Sequence, residues 1–235
     1  MARIKKESPM KLAIVSAATE LFFENGFSGT TAAAICKRAD VGTGNLTSYF
    51  PTKEHILDVL VEMMCEFQWH MMEEATDEGK SSMLAYCLEL TTMAAVSEKK
   101  AHMKDFFLSA YAHPMTLHTM RKNDVEKLKR VFGGYCEDWS EERFSVAEDI
   151  ISGIEYGTLM DTAASAPLPA RIAGALDTIL CIFGVPEQLR RTKIAKVLDM
   201  DYYALGERLL CAFRDFVREE NDRAIDELLA SYKLK

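Results

Sequence analysis

The stretch that decides the fold runs from Asp40 to His55 and reads DVGTGNLTSYFPTKEH. Gly42 and Gly44 supply the first two glycines of a dinucleotide-binding fingerprint, but Thr47 stands where the third belongs. Such a fingerprint also follows a strand and opens a long helix. Here the flanking pattern is a helix and a turn. This stretch also lacks the Gly-Lys-Ser/Thr of a P-loop. The segment fits better as the turn and second helix of a helix-turn-helix, which needs two short helices at a steep angle joined by three or four residues. Small Ala39 lets the helices approach, Gly42 is expected to relieve the backbone at the turn, and Val41 and Leu46 point inward. Thr43, Asn45, Thr47 and Ser48 are then left on the outer face. A solvated helix usually displays Glu and Lys. Short neutral donors and acceptors suit a surface pressed against base edges, and Gly44 permits close approach there.

Working outward, the apolar spacing of Ile14, Ala18, Leu21 and Phe22 predicts a first helix that Asn25-Gly26 ends with a left-handed cap. Thr31 is placed to N-cap a second, carrying Ile35 and Ala39. The third covers roughly 43–50 and is stopped by Pro51. Thr52 caps a long fourth helix with Ile56, Leu60, Met64, Phe67 and Met71 along one side. After Gly79-Lys80 the pattern resets, and helices are expected at about 81–96, 99–112, 115–138, 142–165, 169–183, 187–198 and 201–231. No alternating strand pattern, internal repeat or low-complexity segment appears. The fold class expected is all-α, with a head of three helices at 1–55 and a helical body at 56–235, whose 187–235 part is a C-terminal extension.

Composition narrows the function. About half of the 235 residues are hydrophobic, enough for a sizeable core. The six cysteines are never closer than 22 positions, which argues against zinc ribbons and redox pairs and is consistent with a reducing cytoplasm. The N-terminus is basic and then amphipathic, not a signal peptide, and no apolar window is long enough to span a membrane. The net charge of −8 looks wrong for a nucleic-acid binder, yet it is unevenly distributed. Residues 1–53 hold seven basic against four acidic residues, a net +3, which leaves −11 for the rest.

Residues 10–60 closely resemble the N-terminal domain of TetR-family transcriptional regulators. The shared pattern is Asn25-Gly26-Phe27, Thr30-Thr31, Ile35, Ala39, Val41, Gly44, Leu46, Tyr49-Phe50, Lys53 and Glu54. The resemblance implies a cytoplasmic homodimer that grips operator DNA with two such heads, most often as a repressor, and a body whose small-molecule inducer releases the DNA. It places Thr43, Gly44, Asn45, Thr47 and Ser48 against the major groove and Tyr49 and Lys53 on phosphates. It sets Thr31 at the backbone and makes Arg3, Lys5 and Lys6 an arm along the DNA. The sequence also departs from the family. Ala33, Thr43 and Thr47 replace residues that are often Arg, Lys and Tyr, so the recognition helix carries no charge. Attraction to DNA then rests on Lys53, Lys37, Arg38 and the arm.

Residues 81–160 are rich in Met, aromatic residues and His, which suits a hydrophobic or aromatic ligand; Met93, Phe106, Tyr111, His113, Trp139 and Tyr156 are the candidate pocket residues. His113 and His118 lie five apart with Pro114 between and lack a metal-site pattern. The serines lack a nucleophile-elbow context, so neither an enzyme nor a cofactor is expected. Segments 147–164 and 169–184 are apolar on more than one side, as helices shared between a core and a second subunit would be. The alternative reading is a helical small-molecule-binding protein or enzyme without sequence-specific DNA binding, motivated by the uncharged recognition helix.

Overall fold

The computed structural model describes residues 8–76 and 82–233, with side chains described up to residue 223. Arg3, Lys5, Lys6 and the expected break at Gly79-Lys80 lie outside the described residues. The described residues form eleven α-helices, one short 3-10 turn and no strand, so the all-α expectation holds. The head consists of α1 (Pro9–Asn25), α2 (Ala32–Ala39) and α3 (Thr43–Tyr49). Ile14, Phe22, Ile35, Leu46 and Phe50 close its core. Thr31 caps α2 as expected, its side chain accepting from the Ala34 N–H at 3.2 Å.

The turn between α2 and α3 is made differently from the sequence expectation. Gly42 has an ordinary φ of −73° and serves as the N-cap of α3, whereas Asp40 adopts the left-handed conformation at φ 52°, ψ 47°. Asp tolerates that region because its short polar side chain can engage nearby backbone. Gly26 does take a positive φ of 78°, but its ψ of 168° lies outside the left-handed helical region.

The body starts with α4 (Lys53–Thr76), α5 (Met83–Lys99), α6 (Ala101–Ala112) and α7 (Pro114–Phe132). It continues with α8 (Glu141–Leu159), α9 (Leu168–Ile182), α10 (Glu187–Leu198) and α11 (Tyr202–Lys233). Helices α7 and α8 stop earlier than their apolar periodicity suggested. The Gly133–Tyr135 turn takes over from α7, and α8 ends at Leu159, with Met160 in non-helical geometry. Helix α5 is the axis of the body. Nearly all of it from Met83 to Ser97 is buried, and α4 and α6–α11 all touch it. A helix buried around its whole circumference needs such a surround.

The C-terminal helix ties head to body. Phe213 packs against Phe23 of α1 and Phe67 of α4 at centroid distances of 6.0 and 5.5 Å. Arg218 pairs with Glu20 of α1 at 2.9 Å. Where α11 crosses α5, a Cβ on Gly206 would lie 2.7 Å from Val96 Cγ2 and 3.2 Å from the Thr92 carbonyl oxygen. Gly206→Leu is therefore expected to destabilise the chain by about 2–3 kcal/mol, the overpacking cost outweighing glycine's helix penalty. Denaturant unfolding checks this, and an unchanged midpoint would mean that α11 is not seated on α5.

Candidate functional site

In the head, Thr31, Thr43, Gly44, Asn45, Thr47, Ser48 and Tyr49 are all exposed, and the six on α3 form a continuous uncharged ridge. Two hydroxyls on it turn back onto the helix. Thr47 Oγ1 donates to the Thr43 and Gly44 carbonyls at 3.1 and 3.2 Å, and Ser48 Oγ donates to the Asn45 carbonyl at 2.8 Å. Their lone pairs remain as acceptors, while the Asn45 amide offers both a donor and an acceptor. The Tyr49 hydroxyl meets Ser8 Oγ at 3.0 Å, which pins the start of α1 to the end of α3.

The basic residues behave unlike the simple expectation. Lys53 points into the head: its ammonium donates to the Phe27 and Thr30 carbonyls at 2.6 and 2.8 Å and sits 4.0 Å from the centre of the Phe27 ring. Burial pushes it below the ordinary lysine range. Arg38 is bound to Glu20 and Glu24 at 2.8 and 3.0 Å. Lys37, in the last turn of α2, is exposed.

In the body, a cavity of about 50 Å³ lies between α4, α5, α6, α7 and α8. Met93, Phe106 and Tyr111 line it, together with Val61, Met64, Phe107 and Met120. The other three sequence candidates do not reach it. His113 occupies the break between α6 and α7 and packs on the Phe27 ring at 5.2 Å, making it a contact between head and body. Trp139 lies against Phe144 and Phe183 at 5.2 and 5.5 Å, in a separate aromatic cluster. Tyr156 is partly exposed on α8, its ring 6.4 Å from that of Tyr111.

The sequence reading missed the charge in this cavity. Glu89, Asp124, Lys127, Glu148 and Glu155 all line it. Lys127 Nζ donates to both oxygens of Glu89 at 2.8 Å and lies 2.7 Å from Asp124 Oδ1. The Tyr111 hydroxyl donates to Glu155 at 3.0 Å. Desolvation, reinforced by neighbouring carboxylates, pushes Glu148 up to about 10 and Glu155 up to about 8. The only advance signal was apolar helical spacing interrupted by single acids, as at Glu89 within MLAYCLELTTM (83–93).

The cavity and the head share a wall. Phe106 lines the cavity and also meets Phe22 and Phe23 of α1 at 6.4 and 5.2 Å. The adjacent Asp105 accepts from the Ser28 N–H and hydroxyl at 2.8 and 2.7 Å. A Cβ on Gly26 would lie 2.5 Å from Asp105 Oδ2, so the close approach of α6 to the α1–α2 turn depends on glycine there.

Helix α8 presents Val146, Ile150, Gly153 and Gly157 to solvent at spacings of four, three and four, and the exposed Met160 follows just past its end. Val146 and Ile150 are each more than half exposed. A Cβ on Gly153, Gly157 or Gly174 would meet nothing within 4 Å, so no neighbour within the chain requires glycine there. No described helix is long and apolar enough to cross a membrane.

Comparison with known proteins agrees with this geometry. Residues 14–60 match the profile of the bacterial regulatory proteins of the tetR family. A fatty acid metabolism regulator protein from Bacillus subtilis (strain 168) is 24% identical over 216 residues, which cover 88% of this chain and 95% of that protein. Among solved structures, Thermus thermophilus FadR, a TetR-family transcriptional repressor in complex with lauroyl-CoA, aligns with a TM-score of 0.53 and 21% identity. That alignment covers 72% of this chain and 93% of FadR.

Proposed function

From a chain that carries the DNA-binding head of the tetR family of bacterial regulatory proteins, we propose a homodimeric repressor that leaves its operator when the body cavity takes up a small molecule. The observation that carries the ligand response is the shared wall at Phe106. Opening the cavity moves a ring that packs on α1, and with it the Asp105–Ser28 clasp. Ligand then favours a conformation in which the two recognition helices no longer match successive major grooves, about 34–36 Å apart. The shift cannot exceed the ligand's differential affinity for the two conformations.

The cavity as it stands is far smaller than the roughly 300 Å³ or more of ordinary ligand pockets, so it must expand on binding. Met64, Met93 and Met120 make that cheap, because unbranched thioether chains re-pack readily. The names of the relatives point to regulation of fatty acid metabolism and, for one, to an acyl-CoA ligand; the apolar walls suit a hydrophobic body of that kind.

Residues 1–55 act as the DNA-contacting unit, with Thr43, Gly44, Asn45, Thr47 and Ser48 at the bases and Thr31 and Tyr49 near the backbone. Lys53 acts from within, holding the Phe27 and Thr30 carbonyls so that the start of α2 faces the phosphates. The exposed glycine-bearing stripe of α8, with α9 beside it, forms the interface between subunits. A gel shift against the upstream region of the protein's own gene tests this reading. A sequence-specific shift is expected, and its absence even at reduced salt overturns the regulator.

Two head variants separate the kinds of contact. Asn45→Ala is expected to change base preference, costing about 1–3 kcal/mol at the base pair it reads. Lys37→Ala is expected to weaken all sequences alike and flatten the salt dependence by about one counterion. Selection of bound sequences from a random pool measures the first, and titrations across salt concentrations the second. If both variants bind like the parent, the ridge is not docked as described.

A further inference from the structure

The acids in the cavity do not balance internally. Four carboxyl groups line the cavity with one ammonium, that of Lys127, which is already committed to Glu89 and Asp124. The nearby Arg121, whose charge also reaches Glu148, is paired with Asp149 at 2.9 Å. Oxygens of Asp124, Glu148 and Glu155 lie within 4.8 Å of one another. Independently of this clustering, Glu148 Oε1 has no hydrogen-bond partner although the residue is only 2% exposed, and the Tyr86 hydroxyl is likewise unpartnered at 5%. Both groups line the cavity. A network serving stability alone would satisfy such groups, because each buried orphan costs free energy and gains nothing. Apart from Gln68 and Tyr111, apolar residues such as Val61, Met64, Met93, Phe106 and Phe107 enclose the rest of the space.

We propose that the cavity takes an organic cation, a protonated amine carried on an apolar body, with the ammonium seated among Asp124, Glu148 and Glu155 and the body against the Met and Phe walls. This rests on the reading of the cavity as the ligand pocket, and it gives that ligand a charge. An ammonium donates several hydrogen bonds at once, which suits three carboxyls, Asp124 from α7 with Glu148 and Glu155 from α8, and the Tyr86 phenol from α5. A ligand whose only polar group is anionic would bring its charge to the wrong end of the site. A bare divalent ion would leave the apolar walls without a role.

Proton linkage supports the assignment. The groups facing Glu148 and Glu155 are Cys65 on α4, Tyr86 and Glu89 on α5, and Tyr111 on α6. From α7 come Arg121, Asp124 and Lys127. Desolvation and the surrounding acids keep Glu148 and Glu155 protonated near neutrality. An entering ammonium supplies one counter-charge, so one of the two carboxyls releases its proton as it binds while the other stays protonated, and affinity rises with pH until the amine itself deprotonates.

The test is calorimetric titration of the full chain with four probes of equal chain length: octylamine, octanol, octanoate and octanoyl-CoA. Octylamine is expected to bind at least about tenfold more tightly than the others at pH 8 and more weakly at pH 6. Its apparent enthalpy should vary with the ionisation enthalpy of the buffer. Glu148→Gln and Glu155→Gln should each remove that preference, bringing octylamine down to the affinity of octanol for the same variant. The proposal is overturned if octanol, octanoate or octanoyl-CoA binds as tightly as octylamine. It is equally overturned if octylamine gives no heat and no thermal stabilisation at millimolar concentration, or if magnesium or manganese ions bind in its place. A gel shift on the same samples keeps the two readings apart. Amine binding without DNA binding sinks the regulator and leaves this site. DNA released by octanoyl-CoA but not by octylamine sinks this site and leaves the regulator.

Discussion

Glu148→Gln is expected to make the protein more stable, and increasingly so as pH rises. The wild-type chain keeps this buried carboxyl protonated up to about pH 10, whereas the unfolded chain releases the proton near its ordinary value of 4.5. Between those values the unfolded state binds fewer protons than the folded one, so stability falls with rising pH. The contribution is fully present below pH 4.5 and lost as pH climbs toward 10. At pH 7 the penalty is on the order of 3 kcal/mol. Glutamine is nearly the same size, carries no ionisable group and offers an amide donor to Asp124 and Glu155. A chain of this length changes its Tm by roughly 2–4 °C per kcal/mol. Thermal scans should therefore show the variant several degrees above wild type at pH 8, the two converging near pH 5. A variant less stable than wild type at pH 8 would mean that Glu148 is ionised and paired in the folded chain. A gain would also show what the site costs: a buried carboxyl oxygen without a partner is a group that a ligand can satisfy.

The second large effect concerns the face of α8. Gly153→Arg should leave the fold of the chain intact and abolish the proposed dimer. A glycine inside a helix costs about 1 kcal/mol relative to alanine, and neither Gly153 nor Gly157 returns that cost through a neighbour within the chain. Glycines at the centre of an exposed apolar stripe are what a second helix needs for close approach. Arginine there places a charged, bulky chain between the subunits. Sedimentation is expected to show monomers, and far-ultraviolet circular dichroism an unchanged helix content. Operator affinity should fall by about a hundredfold or more, because the second head no longer binds at the effective concentration the dimer provides. A dimeric Gly153→Arg protein with wild-type operator affinity would move the subunit interface elsewhere.

The residues differ in how far their roles could be read from the chain alone. The ridge on α3 was legible because helical register is local. Leu46 and Phe50 must turn inward, so Thr43, Asn45, Thr47 and Ser48 must turn out. Thr31 and the stop at Pro51 were legible for the same reason. Three of the six pocket candidates, Met93, Phe106 and Tyr111, reach the cavity. His113, Trp139 and Tyr156 do not, because aromatic content marks buried helix faces without saying which neighbours they meet.

The sequence by itself determined the all-helical architecture, the order of the helices and the face the head presents. Each of those depends on capping, helix breakers and a period of 3.6 residues, all written within a few positions of one another. Only the tertiary structure decided that Lys53 turns inward, because the carbonyls it holds belong to a turn more than twenty residues earlier. It also decided that Asp40, not Gly42, takes the left-handed conformation. Above all, it gathered Glu89, Asp124, Glu148 and Glu155 from three helices around one lysine. In the sequence each of these acids is an ordinary charge on an amphipathic helix. Whether a carboxyl is solvated or enclosed, and therefore whether it can select a ligand by charge, depends on the helices packed across from it.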